Sequence, residues 1–342
     1  MSQQTKQSSS SSQDKKLRAT KETVTVQKVI DREIQRYQRR GKTGIILAFI
    51  QIAFLLWIVP QMGQIFWPKL LDLMKIYNLE KWQISFINSF GWSAISYFLY
   101  NFIFWIIYHL ELPFFEQFKI YDGDWPWKED PQAWRELLIK SFKLVGFNNF
   151  VVIPVALYII TLKDNYQIKY SFEIEDLPNS FTLAWQMFFC MIVQDFFFFL
   201  SHWFLHKPYF YKRIHKIHHQ YNQTVGFSAE YAHPFEFLFG NVVPFIIPCL
   251  ILGSRLHYFT YFIWGSFRIA NTVYVHSGYD FPWVPNDICI FYGNSTYHDY
   301  HHSHNVGNFG GMITLWDTII GTNGSFFKYI EEKDRQKKQK GQ

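Results

Sequence analysis

Five long stretches without a charged residue constrain this chain more than any other feature of its sequence. They cover Thr43–Pro68, Trp82–Leu110, Leu144–Leu162, Leu177–Gln194 and Phe237–Ser254. Each reaches the ~17–25 residues that a helix needs to cross the hydrocarbon core of a bilayer. The sequence therefore predicts an all-α integral membrane protein.

A sixth apolar segment follows the last of these stretches after a turn at Gly253–Ser254–Arg255. Six crossings is the upper count, because one pair of helices can instead lie in the membrane interface. We therefore expect a bundle of four to six transmembrane helices with a helical cap on its cytosolic side. The predicted crossings are Thr43–Pro60, Trp82–Leu110, Leu144–Leu162, Leu177–Ser201, Phe237–Ser254 and Leu256–Val275.

The ends of the chain are polar. Residues 1–42 are predicted to form a basic tail, disordered where Ser and Gln dominate, since it has too few apolar side chains to pack. Residues 15–42 carry ten Lys and Arg against three acids, which places the N-terminus in the cytosol. An even number of crossings places the C-terminus there too. Residues 43–325 are predicted to form the membrane-embedded domain and residues 326–342 a charged cytosolic tail.

Histidines are concentrated in three boxes, 202–206, 215–219 and 298–302, which hold eight of the 13 in the chain. Positions i, i+3 and i+4 lie on one face of a helix, so each box is expected to aim its rings at one point. The predicted topology puts all three boxes on the cytosolic side, where they can meet. Their histidines are His202 and His206, then His215, His218 and His219, then His298, His301 and His302.

This histidine content indicates a metal site. Neutral imidazole binds zinc, copper and iron, and eight ligands exceed what one tetrahedral zinc takes, so two metals are the economical interpretation. No cysteine lies near the boxes, which argues against a thiolate-rich structural zinc site and favours redox-active iron. The competing interpretation is an unliganded cluster of histidines at the surface. The net charge of +6 comes from the tails and does not indicate a nucleic-acid partner.

The boxes and their surroundings resemble the fatty acid hydroxylase/sterol desaturase superfamily of membrane di-iron enzymes. Within it the chain is most similar to the C-4 methylsterol monooxygenases. The boxes alone indicate only the superfamily, whereas EYAHPFE and HSGYDFPW indicate the sterol branch. The resemblance covers about 130 residues through SHWFLH (201–206), YKRIHKIHHQY (211–221), EYAHPFE (230–236), HSGYDFPW (276–283), YHDYHH (297–302) and WDTIIGT (316–322).

The resemblance implies that the eight box histidines bind two iron ions, with His233 and His276 as additional ligands. Asp195 lies two helical turns before His202, and we predict that it orients a box histidine as a hydrogen-bond acceptor, with a purely structural role as the alternative. Arg268 matches the family's arginine and can pair with Asp195. The family usually has an acidic residue and Thr after this arginine, whereas this chain has Asn271–Thr272, which puts the substrate position in question.

The resemblance also implies a reaction and its partners. It is the stepwise oxidation of a sterol 4α-methyl group with dioxygen, using electrons from NAD(P)H that arrive through cytochrome b5 and its reductase. The chain has no haem or nucleotide motif of its own. The basic residues Lys207, Lys212, Arg213 and Lys216 are a candidate surface for an acidic donor, although an ordinary membrane-edge patch is the stronger interpretation. Lys338 and Lys340 have the spacing of a K-x-K-x-x retrieval signal, which suggests the endoplasmic reticulum membrane.

Other functions remain open at this point. The same site can serve a C-5 sterol desaturase, a sterol side-chain dealkylase or a fatty acid hydroxylase. A non-enzymatic alternative is an inactive metal-binding membrane protein with a degenerate site. The intact boxes argue against that alternative.

Overall fold

The computed structural model describes residues 25–340, and this part of the chain is helical, with isolated β-bridges and no strand. Predictions about residues 1–24 lie outside it. Five of its helices are long and apolar enough to cross a membrane, which confirms a multi-pass bundle with four to six crossings. They are α1 (Val26–Ile76), α2 (Lys81–Leu110), α3 (Pro131–Lys163), α4 (Ser180–Leu205) and α5 (Pro234–Arg255).

The outer helices expose their apolar side chains. On α1, Phe49, Ile50 and Trp57 are each more than half exposed. Only 17% of the most apolar window of α1 and of α2 is buried, against 39% for α4 and α5. A hydrophobic surface of this extent requires an apolar surrounding, so α1 and α2 face lipid while α4 and α5 form the centre of the bundle.

The sixth predicted crossing is a buried helix. α6 (Tyr258–Val275) has ten of its 18 residues buried and is not among the helices apolar enough to be a candidate span. Its polar and aromatic side chains lower its hydropathy, which a helix surrounded by protein tolerates. It packs beside α2 and α4.

The predicted basic tail is wrong for residues 26–42, because α1 already begins at Val26. Its basic side chains bind acids far away in the sequence instead of extending into solvent. Arg40 forms ion pairs with Asp280 (2.7 Å) and Asp287 (3.2 Å), and Arg36 donates to the carbonyl of Cys289 (2.8 Å). These contacts fix the first turns of the helix to the cap.

A bend in α1 separates this docked part from the membrane part. Gly41 has a φ of 70°, in the left-handed region that favours glycine. A Cβ atom on Gly44 would overlap the carbonyl of Pro282. The two glycines therefore let the helix change direction while it lies directly against the cap.

Three of the long helices contain a π-helical turn. These turns are Asn88–Trp92 in α2, Asn148–Val152 in α3 and Phe237–Val242 in α5. π-Helical turns are rare in proteins, and those that occur are often found at functional sites. We therefore look for a functional site in the part of the bundle that α2, α3 and α5 form.

The cap consists of short helices and two longer ones. α7 (Ser295–His304) is covered by α8 (Gly324–Lys340), because Phe326 and Ile330 pack against Tyr297 and Tyr300. The start of the predicted C-terminal tail is therefore part of the cap. The shorter segments are Pro113–Glu116, Pro126–Glu129, Pro208–Arg213, His215–Gln220, Gly226–Glu230, Pro285–Ile288 and Leu315–Ile320.

All histidine boxes lie at one end of the bundle. α4 and α6 end there, with His202 in the last turn of α4 and His276 directly after α6. α5 begins there, since Glu236 in its first turn contacts His215. The end of the bundle that carries the boxes is thus closed by the cap.

Candidate metal centre

Nine histidines from four segments converge under the cap in two groups. Within each group the ring nitrogens lie within 4.8 Å of one another, the arrangement that a metal ion requires. The two groups are adjacent, since the ring centroids of His219 and His302 are 4.8 Å apart. The first group is His202, His206, His215, His219 and His301, and the second is His218, His276, His298 and His302.

The expectation that each box aims at one point is wrong for the two H-x-x-H-H boxes. In both, the first and last histidines enter one group and the middle histidine enters the other. Adjacent residues on a helix diverge by about 100°, so the last two histidines of such a box point in different directions. Residues 215–220 also form a 3₁₀ helix, whereas 298–302 lie in an α-helix. One box therefore contributes to both groups.

Distances between the rings match a shared ion. The Nε2 atom of His215 lies 3.1 Å from Nε2 of His202 and 2.9 Å from Nε2 of His219. In the second group, Nε2 of His298 lies 3.0 Å from Nε2 of His276 and 3.2 Å from Nε2 of His302. Neighbouring ligands of an octahedral ion with bonds of ~2.1 Å are ~3.0 Å apart. The residues present therefore fit a metal ion in each group.

The hydrogen bonds that the Nδ1 atoms make determine which ring nitrogen is available to bind a metal. The Nδ1 atom of His202 faces the carbonyl of Phe309 (2.8 Å), and Nδ1 of His215 faces Oε1 of Glu236 (2.7 Å). Because a carbonyl oxygen only accepts, Nδ1 of His202 carries the proton, and an ionised Glu236 sets the same tautomer at His215, so both Nε2 atoms carry lone pairs. Two lone pairs 3.1 Å apart repel unless a cation lies between them. This is the strongest sign of a metal site.

Four further rings show the same pattern with backbone acceptors. His218 donates to the carbonyl of Tyr231, His276 to Thr272, His301 to Gly307 and His302 to Tyr221, over 2.6–3.2 Å. A metal-binding histidine usually donates its second N–H to a carbonyl or a carboxylate. The six bonded rings therefore offer Nε2 in a fixed direction.

Burial keeps these imidazoles neutral. It lowers the pKa of His218 to about 4 and holds the pKa values of His215 and His219 well below their usual range. The pKa values of His298 and His301 are lowered in the same way, and the neighbouring histidines add to the effect. Neutral imidazole is the form that binds a metal, so the site is prepared for binding at neutral pH.

Two acceptor carbonyls come from one segment, residues 307–313, which we call the carbonyl loop. Gly307 accepts from His301 and Phe309 accepts from His202. Gly307 has a φ of 63°, and a Cβ atom there would overlap the carbonyl of Thr322. A residue other than glycine would move this carbonyl away from His301.

Two buried carboxylates hold the carbonyl loop. Oδ1 of Asp195 accepts from the backbone N–H groups of Gly311 (2.9 Å), Met312 (2.5 Å) and Ile313 (3.3 Å). Asp317 accepts from Phe309 (2.9 Å) and Gly310 (2.7 Å). The prediction that Asp195 bonds a box histidine directly is therefore wrong: it acts through the loop that carries the carbonyls.

Sequence reasoning missed Glu236 and Asp317 as site residues, although both lie in motifs that were noticed. Glu236 is buried and bonds His215, and Asp317 is buried and bonds the carbonyl loop. The available signal was a carboxylate at the start of an apolar segment and another in WDTIIGT, since buried acids seldom lack a partner. The sequence does not show which backbone carbonyls accept these hydrogen bonds, because every residue has a carbonyl group.

His233 lies outside both groups, so its predicted ligand role is not supported. It is only partly buried, and its Nδ1 accepts from the backbone N–H of Phe235 (3.1 Å). It therefore caps the first turn of α5, which fixes its ring away from the centre. His276, the other additional ligand that was predicted, lies in the second group.

Arg268 is 9% exposed and forms no hydrogen bond or ion pair with any residue in the described range 25–340. Asp195 and Glu230 attract its charge from a distance, so the direct pair with Asp195 that the sequence allowed is not formed. Asn271 accepts from Asn286 (2.9 Å) and Tyr292 (3.1 Å) in the cap, while Thr272 lines the interior of the bundle. Asn271, the residue at which this chain differs from the family pattern, therefore contacts the cap.

Two adjoining cavities, which we call the inner and the outer part, lie between the histidines and the lipid-facing helices. The inner part is lined by five of the nine histidines, and the outer part shares four lining residues with it. The outer part is lined mainly by apolar side chains of α2, α3, α5 and α6, among them the half-exposed Trp92. The apolar lining of the outer part suits a lipid-soluble ligand.

Comparisons with known proteins agree with this geometry. A family model described as fatty acid hydroxylase matches residues 187–322, which include the three boxes and the carbonyl loop. Methylsterol monooxygenase 1 of Gallus gallus is 33% identical over 274 residues, covering 79% of this chain and 85% of the relative. Methylsterol monooxygenase 1 of Danio rerio is 33% identical over 258 residues, covering 74% and 83%.

A relative with another name matches a shorter region. Very-long-chain aldehyde decarbonylase GL1-11 of Oryza sativa subsp. indica is 37% identical over 163 residues, covering 46% of this chain and 60% of the relative. No solved structure gives a significant match.

Proposed function

The chain belongs to the fatty acid hydroxylase family, and from this premise we propose that it oxidises a sterol 4-methyl group with dioxygen. The observation that carries the proposal is the pair of histidine groups at the inner end of an apolar cavity. Two relatives named methylsterol monooxygenase align over most of the chain, which supports the choice of a sterol.

We propose that each histidine group holds one iron ion. The ligands would be the nine converging histidines, and the set of neutral nitrogens suits a divalent first-row metal. When bound, the irons supply the redox chemistry that attacks an unactivated C–H bond. The chain's own residues fix the ligand rings through Glu236 and the carbonyl loop, and the apolar cavity keeps bulk water from the reacting carbon.

Electrons would come from NAD(P)H through a partner such as cytochrome b5 with its reductase. Lys207, Lys212, Arg213 and Lys216 are exposed beside the boxes. Lys207 lies over the ring of Trp203 and Arg213 over that of Tyr209, as expected of side chains at a membrane edge. The other two basic residues, Lys212 and Lys216, are the better candidates for contact with an acidic donor.

The donor surface can be tested by charge reversal. The double variant Lys212→Glu, Lys216→Glu would lower the rate at which cytochrome b5 reduces the protein. It would also lower the salt dependence of that rate. Lys75→Glu is the control, because Lys75 is exposed at the opposite end of α1. An unchanged reduction rate in the double variant would reject this surface and leave the metal centre unaffected.

We place the protein in the endoplasmic reticulum membrane with both ends of the chain in the cytosol. The basic residues that precede the membrane part of α1 and the spacing of Lys338 and Lys340 support this location. Replacing both lysines with serine in a tagged full-length protein would redistribute it toward the Golgi. Protease protection in sealed microsomes would test the orientation.

The function itself is tested by deletion of the gene and lipid analysis. We expect 4-methylsterols to accumulate and to disappear again when the wild-type protein is restored. The His301→Ala variant would not restore the profile, which separates an enzyme from an inactive metal-binding protein. Accumulation of a C-5 saturated sterol, a side-chain precursor, an unhydroxylated acyl lipid or a long-chain aldehyde would instead indicate one of the alternative reactions.

A further inference from the structure

Arg268 occupies an unusual position in the cavity. The inner part next to the histidines and the outer part next to lipid share four lining residues, which are Ala229, Asn241, Arg268 and Thr272. Arg268 is the charged member of this set. A substrate that extends from the outer part to the histidines must therefore pass the guanidinium group.

The Arg268 guanidinium group has no hydrogen-bonded partner among the described residues and keeps some accessible surface. The residue is 9% exposed, and its central carbon lies 5.6 Å from the centroid of the Phe198 ring. A guanidinium carries five N–H donors, and a ligand that covered it without supplying an acceptor would leave them unsatisfied, which is costly. Such a group in a ligand cavity is explained by an acceptor that the ligand brings.

A carboxyl group lies on the same cavity. Glu230 is buried, lines the outer part, and accepts from the side-chain amide of Asn149 through Oε2 (2.7 Å). Its charge interacts with that of Arg268 over a distance too long for an ion pair. A donor group and an acceptor group thus face the same space without satisfying each other.

An alcohol satisfies both groups at once. Its oxygen accepts from the guanidinium, and its hydrogen is donated to a carboxyl oxygen. A hydrocarbon satisfies neither and leaves both groups desolvated. The pair therefore selects for a hydroxyl group, and we propose that Arg268, with Glu230, recognises the ring hydroxyl of the sterol.

This inference rests on the proposed sterol substrate and adds how that substrate is oriented. In a 4-methylsterol the hydroxyl is on the carbon next to the one that carries the methyl group. Arg268 lines the inner part of the cavity together with His202 and His276. A hydroxyl held by Arg268 directs the neighbouring methyl group toward the histidines.

The outer part of the cavity extends in the direction that the rest of the molecule would take. It follows α6 back from Thr272 to Tyr261, and Tyr261 is 15 residues before His276. At 1.5 Å per residue this is roughly 20 Å, comparable to the long axis of a sterol with its side chain. The ring end then lies at Arg268 and the side chain lies toward the lipid.

The test measures binding to the metal-loaded protein in the absence of an electron donor, so it does not depend on activity. The full-length protein in lipid nanodiscs is incubated with a tritiated 4-methylsterol and competed with the same sterol with or without its ring hydroxyl. We expect the wild type to prefer the hydroxylated sterol at least tenfold. Arg268→Gln would remove this preference while retaining weak binding of both, and Arg268→Lys would restore part of it.

Phe262→Leu is the matched control, since Phe262 lines the outer part of the cavity. It would weaken the binding of both sterols equally and keep the preference. Equal binding of the two sterols by the wild type, or an unchanged preference in a folded Arg268→Gln protein, would overturn the assignment of Arg268. If the wild type bound neither sterol, the proposed substrate itself would be rejected along with this inference.

Discussion

A buried imidazole that donates Nδ1–H to an oxygen has one nitrogen left for other partners. In six of the nine converging histidines this remaining nitrogen points at another ring. Two such nitrogens cannot hydrogen-bond to each other, because neither carries a proton. At the scale of single residues, the bonds on the far side of the rings are thus more informative than the clustering of histidines itself.

His218 and His233 provide a direct comparison at this scale. His218→Ala removes a member of the second group, and we expect it to reduce bound iron by about half, that is, by one of the two proposed ions. His233→Ala is expected to keep the full iron content, because His233 only caps α5. Elemental analysis of the purified variants measures both. Equal loss of iron in the two variants would contradict the division into these groups.

Glu230 gives a second prediction, in which pH is varied. Burial raises its pKa from the ordinary 4.5 to about 7, although Asn149 and Arg268 oppose the shift. Between these values the folded protein holds a proton that the unfolded chain has released. The free energy of unfolding therefore falls as pH rises from about 4.5 to about 7, by at most ~1.4 kcal/mol per pH unit from this group.

Glu230→Gln cannot release this proton and serves as the reference. We expect the difference in Tm between wild type and Glu230→Gln to change steadily from pH 5 to pH 7 and to level off at higher pH. Thermal unfolding in detergent at several pH values measures it. A difference that is constant over this range would show that Glu230 titrates at its ordinary value.

At the scale of elements, the carbonyl loop connects the membrane part to the cap. Asp195 belongs to α4, whereas Asp317 follows α7, and both bind backbone N–H groups of the same loop. The opposite face of the loop presents carbonyls to His202 and His301. The loop therefore fixes one ligand from α4 and one from α7 relative to each other.

We accordingly expect Asp195→Asn to weaken metal binding without removing a ligand. Loss of the carboxylate charge weakens three hydrogen bonds to the loop, and disturbing a partner of a metal ligand typically lowers affinity ~10–100-fold. Competition with a chelator measures the affinity. The control is Asp72→Asn, whose side chain is 69% exposed. An unchanged affinity in Asp195→Asn would mean that the loop does not set the histidine geometry.

At the scale of the whole molecule, the metal centre joins four segments that are far apart in the sequence. Its ligands come from α4, the 3₁₀ turn at 215–220, the end of α6 and α7. In the absence of a metal, these segments bring together lone pairs that repel. Bound ions therefore stabilise the relative positions of cap and bundle.

Removal of the metal should lower the thermal stability of the entire protein. A ligand present at 100 times its Kd stabilises by ~2.7 kcal/mol, which corresponds to about 4 °C in Tm for a chain of 342 residues. Thermal unfolding with and without a chelator measures the shift. In the His298→Ala, His301→Ala double variant the chelator should have no effect. A shift of equal size there would mean that the chelator acts elsewhere.

The membrane helices could be predicted from the sequence, because an uncharged stretch of this length rarely forms anything other than a membrane-spanning helix. It was insufficient for α6, although Arg268 and Asn271 within that segment already indicated a helix surrounded by protein. The box histidines were predictable from their spacing, except for the division between two groups, which depends on side-chain direction. His233 was overestimated because a motif does not distinguish a capping ring from a ligand. The carbonyl acceptors were not predictable, since every residue has a carbonyl group.

The order of the ligands along the chain has a consequence for biosynthesis. His298, His301 and His302 follow every helix that is a candidate membrane span, so the ribosome makes them after all of those helices. Neither histidine group is complete before that point, because each contains at least one of these three residues. A complete histidine group can therefore form only after all the candidate membrane helices have been synthesised.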